Sequence, residues 1–268
     1  MPTSSARRSG SSSVPVPVSG PGPGPASSAG QRRVVPPTAA RAAEIVARLH
    51  SRFGPLEPPR RWDPLEELIL TVLSQNTSDL NSERAFELMR RRWPTWEALA
   101  TAPETDLAEV IRPGGLANTK APRILAILHR IQERDGSLDL SWMRDADDAT
   151  VTDYLLSLPG VGPKTAACVL AFSLGRDAIP VDTHVFRVAK RLGYFGDKVD
   201  AAAAHRVLEG AIPAKLRVPM HVGLIRLGRE ICKPGRPRCE ECPLRDLCPT
   251  APEFLGPDPA RDGPRSVS

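Results

Sequence analysis

Two groups of residues in this chain are spaced for chemistry. One is a lysine with an aspartate eighteen positions after it, and the other is a set of four cysteines near the C-terminal end. Lys164 stands in the first turn of an apolar helix, directly after the two-glycine turn Leu158-Pro159-Gly160-Val161-Gly162. Asp182 opens the next helix within Val181-Asp182-Thr183-His184. A lysine amine is a nucleophile only when neutral, and keeping it neutral at pH 7 costs about 4 kcal/mol. A helix N-terminus disfavours a cation by up to about 2 kcal/mol, and desolvation when a bound partner covers the site would have to supply the rest. The expectation is therefore a lysine whose proton is loosened by its position. Asp182 reads as an N-cap, yet a carboxylate beside a reacting centre also stabilises developing positive charge or assists proton transfer.

The cysteines Cys232, Cys239, Cys242 and Cys248 follow the pattern C-x6-C-x2-C-x5-C, and only Cys168, inside an apolar helix, lies elsewhere. An even, clustered set in an otherwise cysteine-poor chain reads as a metal site in a reducing compartment and not as a disulfide framework. Four thiolates so close together can close around one soft centre. Zinc usually shows two separated C-x2-C knuckles, whereas the unequal, compact spacing here suits a [4Fe–4S] cluster wrapped by a loop. On spacing alone both remain open.

The elements that must position these groups read as helices throughout. From Ala42 the apolar residues Ile45, Val46, Leu49 and Phe53 share one helical face. Asp63-Pro64-Leu65-Glu66 is a helix start with a capping box, and the helix from Leu65 to about Ser74 is apolar on most sides and should be central. Further helices are expected over 79–93, 118–134, 147–158, 163–174, 183–192, 200–210 and 218–230, with short ones from Thr95 and Glu104. Nothing alternates convincingly as a strand, so the fold class is all-α. Residues 1–38 are Ser, Pro, Gly and Ala with four arginines and cannot bury a core, so disorder is expected there, as in 251–268.

The net charge of +5 is weaker than it looks, because Arg7, Arg8, Arg32 and Arg33 supply +4 of it and the remainder carries 32 basic against 31 acidic residues. A claim on nucleic acid must rest on local features. No apolar run approaches a membrane span, so no membrane partner is expected. Val14-Pro15-Val16-Pro17 interrupts any secretory h-region, and Pro and Gly spoil the amphipathic helix of a transit peptide.

The cysteine spacing, directly after a helix ending Gly228-Arg229-Glu230-Ile231, resembles the cluster loop of endonuclease III, a DNA-repair glycosylase of the helix-hairpin-helix superfamily. The glycine turn followed by Lys164-Thr165-Ala166-Ala167 resembles that family's hairpin and catalytic lysine, and Asp182 stands where the family has its essential aspartate. The loop Leu73-Ser74-Gln75-Asn76-Thr77-Ser78-Asp79 resembles the loop that fills the gap left by a flipped nucleotide, with Asn76 at the wedge position and Gln75 beside it. Gly115-Leu116-Ala117-Asn118-Thr119-Lys120 matches the second wedge loop, with Leu116 intercalating. Pro163 departs from the pattern, since the family often has a basic residue there.

The resemblance spans about residues 41–250 and carries specific expectations. It implies two helical domains with a DNA cleft between them: a six-helix barrel over 60–175, and a cluster domain made of 39–59 and 176–250. It implies a [4Fe–4S] cofactor on the four cysteines. DNA phosphates would be held at the turn Pro159, Gly160, Val161 and Gly162, through the backbone N–H groups of the residues after the proline, and by Lys233, Arg236 and Arg238 of the basic loop. The implied function is excision of damaged pyrimidines from double-stranded DNA, followed by β-elimination at the abasic site through a Lys164 Schiff base. The protein would act as a monomer in the cytoplasm, associated with the nucleoid.

Rival readings come from two classes. A mismatch-specific glycosylase for thymine or adenine shares the hairpin, although the adenine branch carries a glutamate where this chain has Thr71 and lacks the lysine. A non-catalytic helix-hairpin-helix protein would use the turn as a clamp, which the pairing of Lys164 with Asp182 argues against.

Overall fold

The computed structural model describes residues 34–58 and 63–255, so the tails at 1–33 and 256–268, for which disorder is expected, lie outside the described residues. Within them the chain is helical, with no strand. The α-helices run α1 Ala39–Phe53, α2 Pro64–Leu73, α3 Asp79–Arg92, α4 Trp96–Ala100, α5 Glu104–Val110, α6 Ala117–Asp135, α7 Asp148–Leu156, α8 Pro163–Cys168, α9 Thr183–Arg191, α10 Ala201–Ala211, α11 Arg217–Glu230 and α12 Pro252–Leu255. None of the described helices is long and apolar enough to cross a membrane.

Side-chain caps explain many of the helix starts. Asp63 accepts from Leu65 N–H (2.9 Å) at α2, Ser78 from Asn81 N–H at α3, Asp147 from Thr150 N–H at α7, and Asp182 from Val185 N–H (2.7 Å) at α9. Each such cap contributes about 1 kcal/mol. The helix expected over 163–174 changes character midway: α8 ends at Cys168 and Val169–Ser173 continues as a wider π-helical turn. Such turns are rare and concentrate at functional sites, and this one carries Cys168 and Phe172 past the cleft described below.

Two hydrophobic cores form. The first is built on α2, whose Leu68, Ile69, Val72 and Leu73 are fully buried, and it gathers residues of α3 to α8 around that helix. The second joins α1 to α9, α10 and α11 through Ile45, Leu49, Val185, Val188, Leu208 and Leu224. There α11 meets α1 so closely that a Cβ on Gly223 would lie 2.8 Å from Leu49 Cδ1. Each fully buried Leu or Ile contributes about 1.5–3 kcal/mol, so each core is substantial on its own.

Order extends further at the C-terminal end than composition suggests. Residues 251–255, expected to be disordered, hold Ala251 in a buried position and form α12, whose Phe254 ring faces the Arg191 guanidinium at 5.1 Å. The burial of Ala251 and a cation over an aromatic face stabilise this turn, and neither is visible in a Pro-rich composition.

Candidate active site

A cleft of about 880 Å³ lies between the two cores, lined by α2 and the starts of α3 and α8 on one side and by the start of α9 and the length of α11 on the other. Lys164 and Asp182 both open onto it, as the sequence predicts, together with Gln75 and Asn76. Leu116, the hairpin turn and the cysteine loop lie outside its lining.

The electrostatics of Lys164 differ from the sequence expectation. Burial works to lower its pKa, but the proximity of Cys168 and Asp182, with Glu67 also acting, more than offsets burial, and the pKa is raised. Burial pushes the Cys168 thiol up to about 11, so it is protonated at neutral pH and meets Lys164 as a neutral neighbour. In the protein alone the neighbours thus hold the lysine's proton, and the loosening expected from the sequence rests on the desolvation that covering of the site would add.

Sequence reasoning missed three residues at this site. Glu67, one of two adjacent acids in the first turn of α2, is only 6% exposed and accepts a hydrogen bond from Thr71 Oγ1 (2.9 Å). Burial pushes its pKa up to about 7. His221, on α11, is buried against the Phe172 ring with Nδ1 2.7 Å from the Pro180 carbonyl oxygen. A carbonyl can only accept, so Nδ1 carries the proton and Nε2 remains an acceptor; burial pushes this ring down to about 4, keeping it neutral. Arg229, also on α11, makes a two-pronged bond to Asp79 at the start of α3 (2.6 and 2.9 Å), tying the two walls together.

Both wedge loops carry left-handed backbone. Among the described residues the non-glycine positions with positive φ are Asn76 (54°) and Leu116 (50°), the two residues singled out for insertion into DNA. Leu116 is 54% exposed, an open leucine on a strained tip. Gln75 is engaged differently, because Arg123 on α6 donates to its Oε1 at 2.8 Å. Arg123 also packs over the hairpin, where a Cβ on Gly160 would stand 2.5 Å from its Nε. Gly160 additionally holds φ 72°, so only glycine fits. Val161 is turned inward: its side chain is buried and its N–H donates to Leu158 O, leaving Gly160 and Gly162 as the outward members of the turn.

The four loop cysteines line one small apolar cavity with Arg191, Pro237 and Phe254. Arg191 NH1 points at Cys232 Sγ (3.2 Å) and also donates to Lys233 O, while its NH2 donates to Pro234 O (both 2.7 Å). Among the described residues no three His, Cys, Asp or Glu side chains converge tightly enough to hold a single metal ion. Four thiols around a cavity, with a guanidinium aimed at one sulfur, fit a multi-iron cluster better than one zinc ion. Lys233, Arg236 and Arg238 are exposed on the outer face of the same loop; Arg238 pairs with Glu241 at 3.3 Å.

Comparison with known proteins agrees with this architecture. The family described as HhH-GPD superfamily base excision DNA repair protein matches residues 69–213, and the iron–sulfur binding domain of endonuclease III matches residues 232–248. Endonuclease III of Thermotoga maritima is 38% identical over 189 residues, covering 70% of this chain and 84% of that one. A DNA glycosylase-like protein of Arabidopsis thaliana is 36% identical over 189 residues, covering 67% of this chain, which spans 64% of that relative's length. The solved structure of a trapped endonuclease III–DNA covalent intermediate superposes with a TM-score of 0.70 at 29% identity, covering 81% of this chain and 98% of that one. The chain belongs to the HhH-GPD superfamily of base excision DNA repair proteins and is an endonuclease III-like DNA glycosylase/lyase with a [4Fe–4S] cluster.

Proposed function

We propose that the protein removes oxidised or otherwise damaged pyrimidines from double-stranded DNA and cleaves the resulting abasic site by β-elimination. The observation that carries this reading is the opening of Lys164 and Asp182 onto one cleft between two helical bodies. The covalent enzyme–DNA intermediate trapped for the related endonuclease III supports a nucleophilic route. Lys164 is the nucleophile. Asp182 takes its proton, the amine attacks the sugar C1′, and the base leaves with the electron pair of the glycosidic bond. Breaking of the C1′–O4′ bond then opens the sugar ring and turns this adduct into a Schiff base, and loss of a C2′ proton breaks the C3′–O bond and releases the 3′ phosphate.

The remaining residues bind and shape DNA. Asn76 fills the vacated stack, since Gln75 is held by Arg123, and Leu116 enters from the other strand, recovering part of the few kcal/mol that extrusion costs. The backbone N–H groups of Gly160 and Gly162 take one phosphate, in the turn that Pro159 helps to shape, and Lys233, Arg236 and Arg238 take others. The first core forms the barrel domain, about 60–175; the second, with 39–59 and 176–250, is the cluster domain. Cys232, Cys239, Cys242 and Cys248 hold the cluster, which when bound supplies four metal–thiolate crosslinks to the loop. A monomer suffices, acting on the chromosome in the cytoplasm.

A strand-cleavage assay on a duplex with one thymine glycol tests the reading. Wild type should yield the unsaturated-aldehyde end of β-elimination, Lys164→Ala should yield neither free base nor cleavage, and Asp182→Asn should fall by 10²–10⁴-fold, the usual size of a general-base contribution. Base release without cleavage by wild type would reduce the protein to a simple glycosylase.

A further inference from the structure

Glu67 has no task in the reaction as described, yet its placement calls for one. It occupies a helix whose neighbouring positions Leu68 and Ile69 are fully buried, where an apolar residue would pack at no electrostatic cost. Its carboxyl is instead held by Thr71 Oγ1 and opens onto the same cleft as Lys164 and Asp182. We infer that Glu67 is the general acid of the glycosylase step, handing its proton to an extruded oxidised pyrimidine as the C1′–N1 bond breaks, an inference that rests on the Lys164 reading above.

The departing pyrimidine takes the bonding electron pair as an N1 anion whose charge spreads onto the C2 carbonyl oxygen. The Glu67 O–H transfers its proton there, leaving a carboxylate that regains a proton from water after the base departs. A carboxyl with a pKa raised to about 7 is matched to this work, protonated often enough to donate and acidic enough to release. Thr71 Oγ1 orients it, and His221 Nε2 offers an acceptor to an N–H of the same base.

Glu67 shares the cleft lining with several charged and titratable groups, Glu57 before α2 among them, and the Lys164 charge acts on its carboxyl. From α8 come Lys164 and Cys168, and from the start of α9 Asp182 and His184. From α3 and α11 come Asp79 and Glu83, then His221, Arg226 and Arg229. Cys168, pushed up to about 11, stays protonated to high pH, and His221, pushed down to about 4, stays neutral above it, so neither produces a falling limb near neutrality. Arg229 and Asp79 neutralise each other.

Single-turnover excision of thymine glycol by the full chain, measured from pH 6 to 9, tests the inference alongside borohydride trapping on a pre-formed abasic duplex. Glu67→Gln keeps the shape and the Thr71 contact, and its melting temperature checks folding. Wild type should lose excision rate above about pH 7, approaching tenfold per pH unit. Glu67→Gln should excise about 100-fold more slowly at pH 6.5, lack that falling limb, and trap on the abasic duplex within about threefold of wild type, where no base remains to be protonated. Excision by Glu67→Gln at the wild-type rate, or an equal loss of trapping and excision, would overturn the role of Glu67, as would a wild type that leaves thymine glycol in place. Failure of wild type itself to trap on the abasic duplex would instead refute the Lys164 reading.

Discussion

At the scale of single residues, the site depends on a buried cation far from the chemistry. Lys120, 2% exposed, donates to the Leu73 carbonyl at the end of α2 (2.6 Å) and to the Gly114 carbonyl (2.7 Å). Those carbonyls immediately precede the loops carrying Asn76 and Leu116, so one side chain sets the distance between both wedges. Burial lowers its pKa, but two carbonyl acceptors at helix ends compensate the charge. Replacing Lys120 with Met should cost about 3 kcal/mol, because two buried carbonyls lose a charged donor. Hydrogen exchange at 74–78 and 114–116 should also quicken. Unchanged stability and exchange would show that the loops are fixed by other contacts.

Glu67 and Lys120 were not legible from sequence for the same physical reason. An acid in a first helical turn and a lysine near a helix start are ordinary solvated residues, and only packing turns them inward. Lys164, Asp182 and the cysteines could be singled out because they lie in local sequence motifs that resemble those of a known family. The direction of the Lys164 pKa could not, since it depends on Cys168, Asp182 and Glu67 brought together around it from separate elements.

At the scale of elements, the cysteine loop is anchored by α9. Arg187 Nε donates to Cys232 O (3.1 Å), Arg191 binds the loop carbonyls, and Thr250 Oγ1 donates to Arg191 O (2.9 Å). The helix that Asp182 caps therefore also supports the cluster loop, and loss of metal should be felt at the cleft. Cys239→Ser should abolish the visible absorbance of the purified protein. It should also weaken binding to abasic DNA by at least tenfold at moderate salt, since the basic residues 233, 236 and 238 lose their frame. Zinc without iron in the wild-type protein would contradict the cluster assignment. The π turn at Val169–Ser173 and the order of 251–255 escaped the sequence reading because both arise from tertiary packing against α7 and the cysteine cavity, not from local periodicity.

For the whole molecule, helix periodicity and caps sufficed to place most elements to within a residue or two, because amphipathic stripes and Asp or Ser caps are local signals. The partition into two cores followed less directly, since α1 joins a core otherwise built from residues beyond 178. That long-range closure sets Lys164 at the end of one body opposite Asp182 and α11 of the other, with Arg229 and Asp79 bridging them. The central claim is that this closure makes Lys164 a covalent catalyst. Borohydride reduction during incubation with an abasic duplex, followed by peptide mapping, tests it most directly. The account predicts a stable protein–DNA adduct mapped to Lys164 and absent from Lys164→Ala; an adduct on another residue, or none under conditions where the protein binds that DNA, would contradict it.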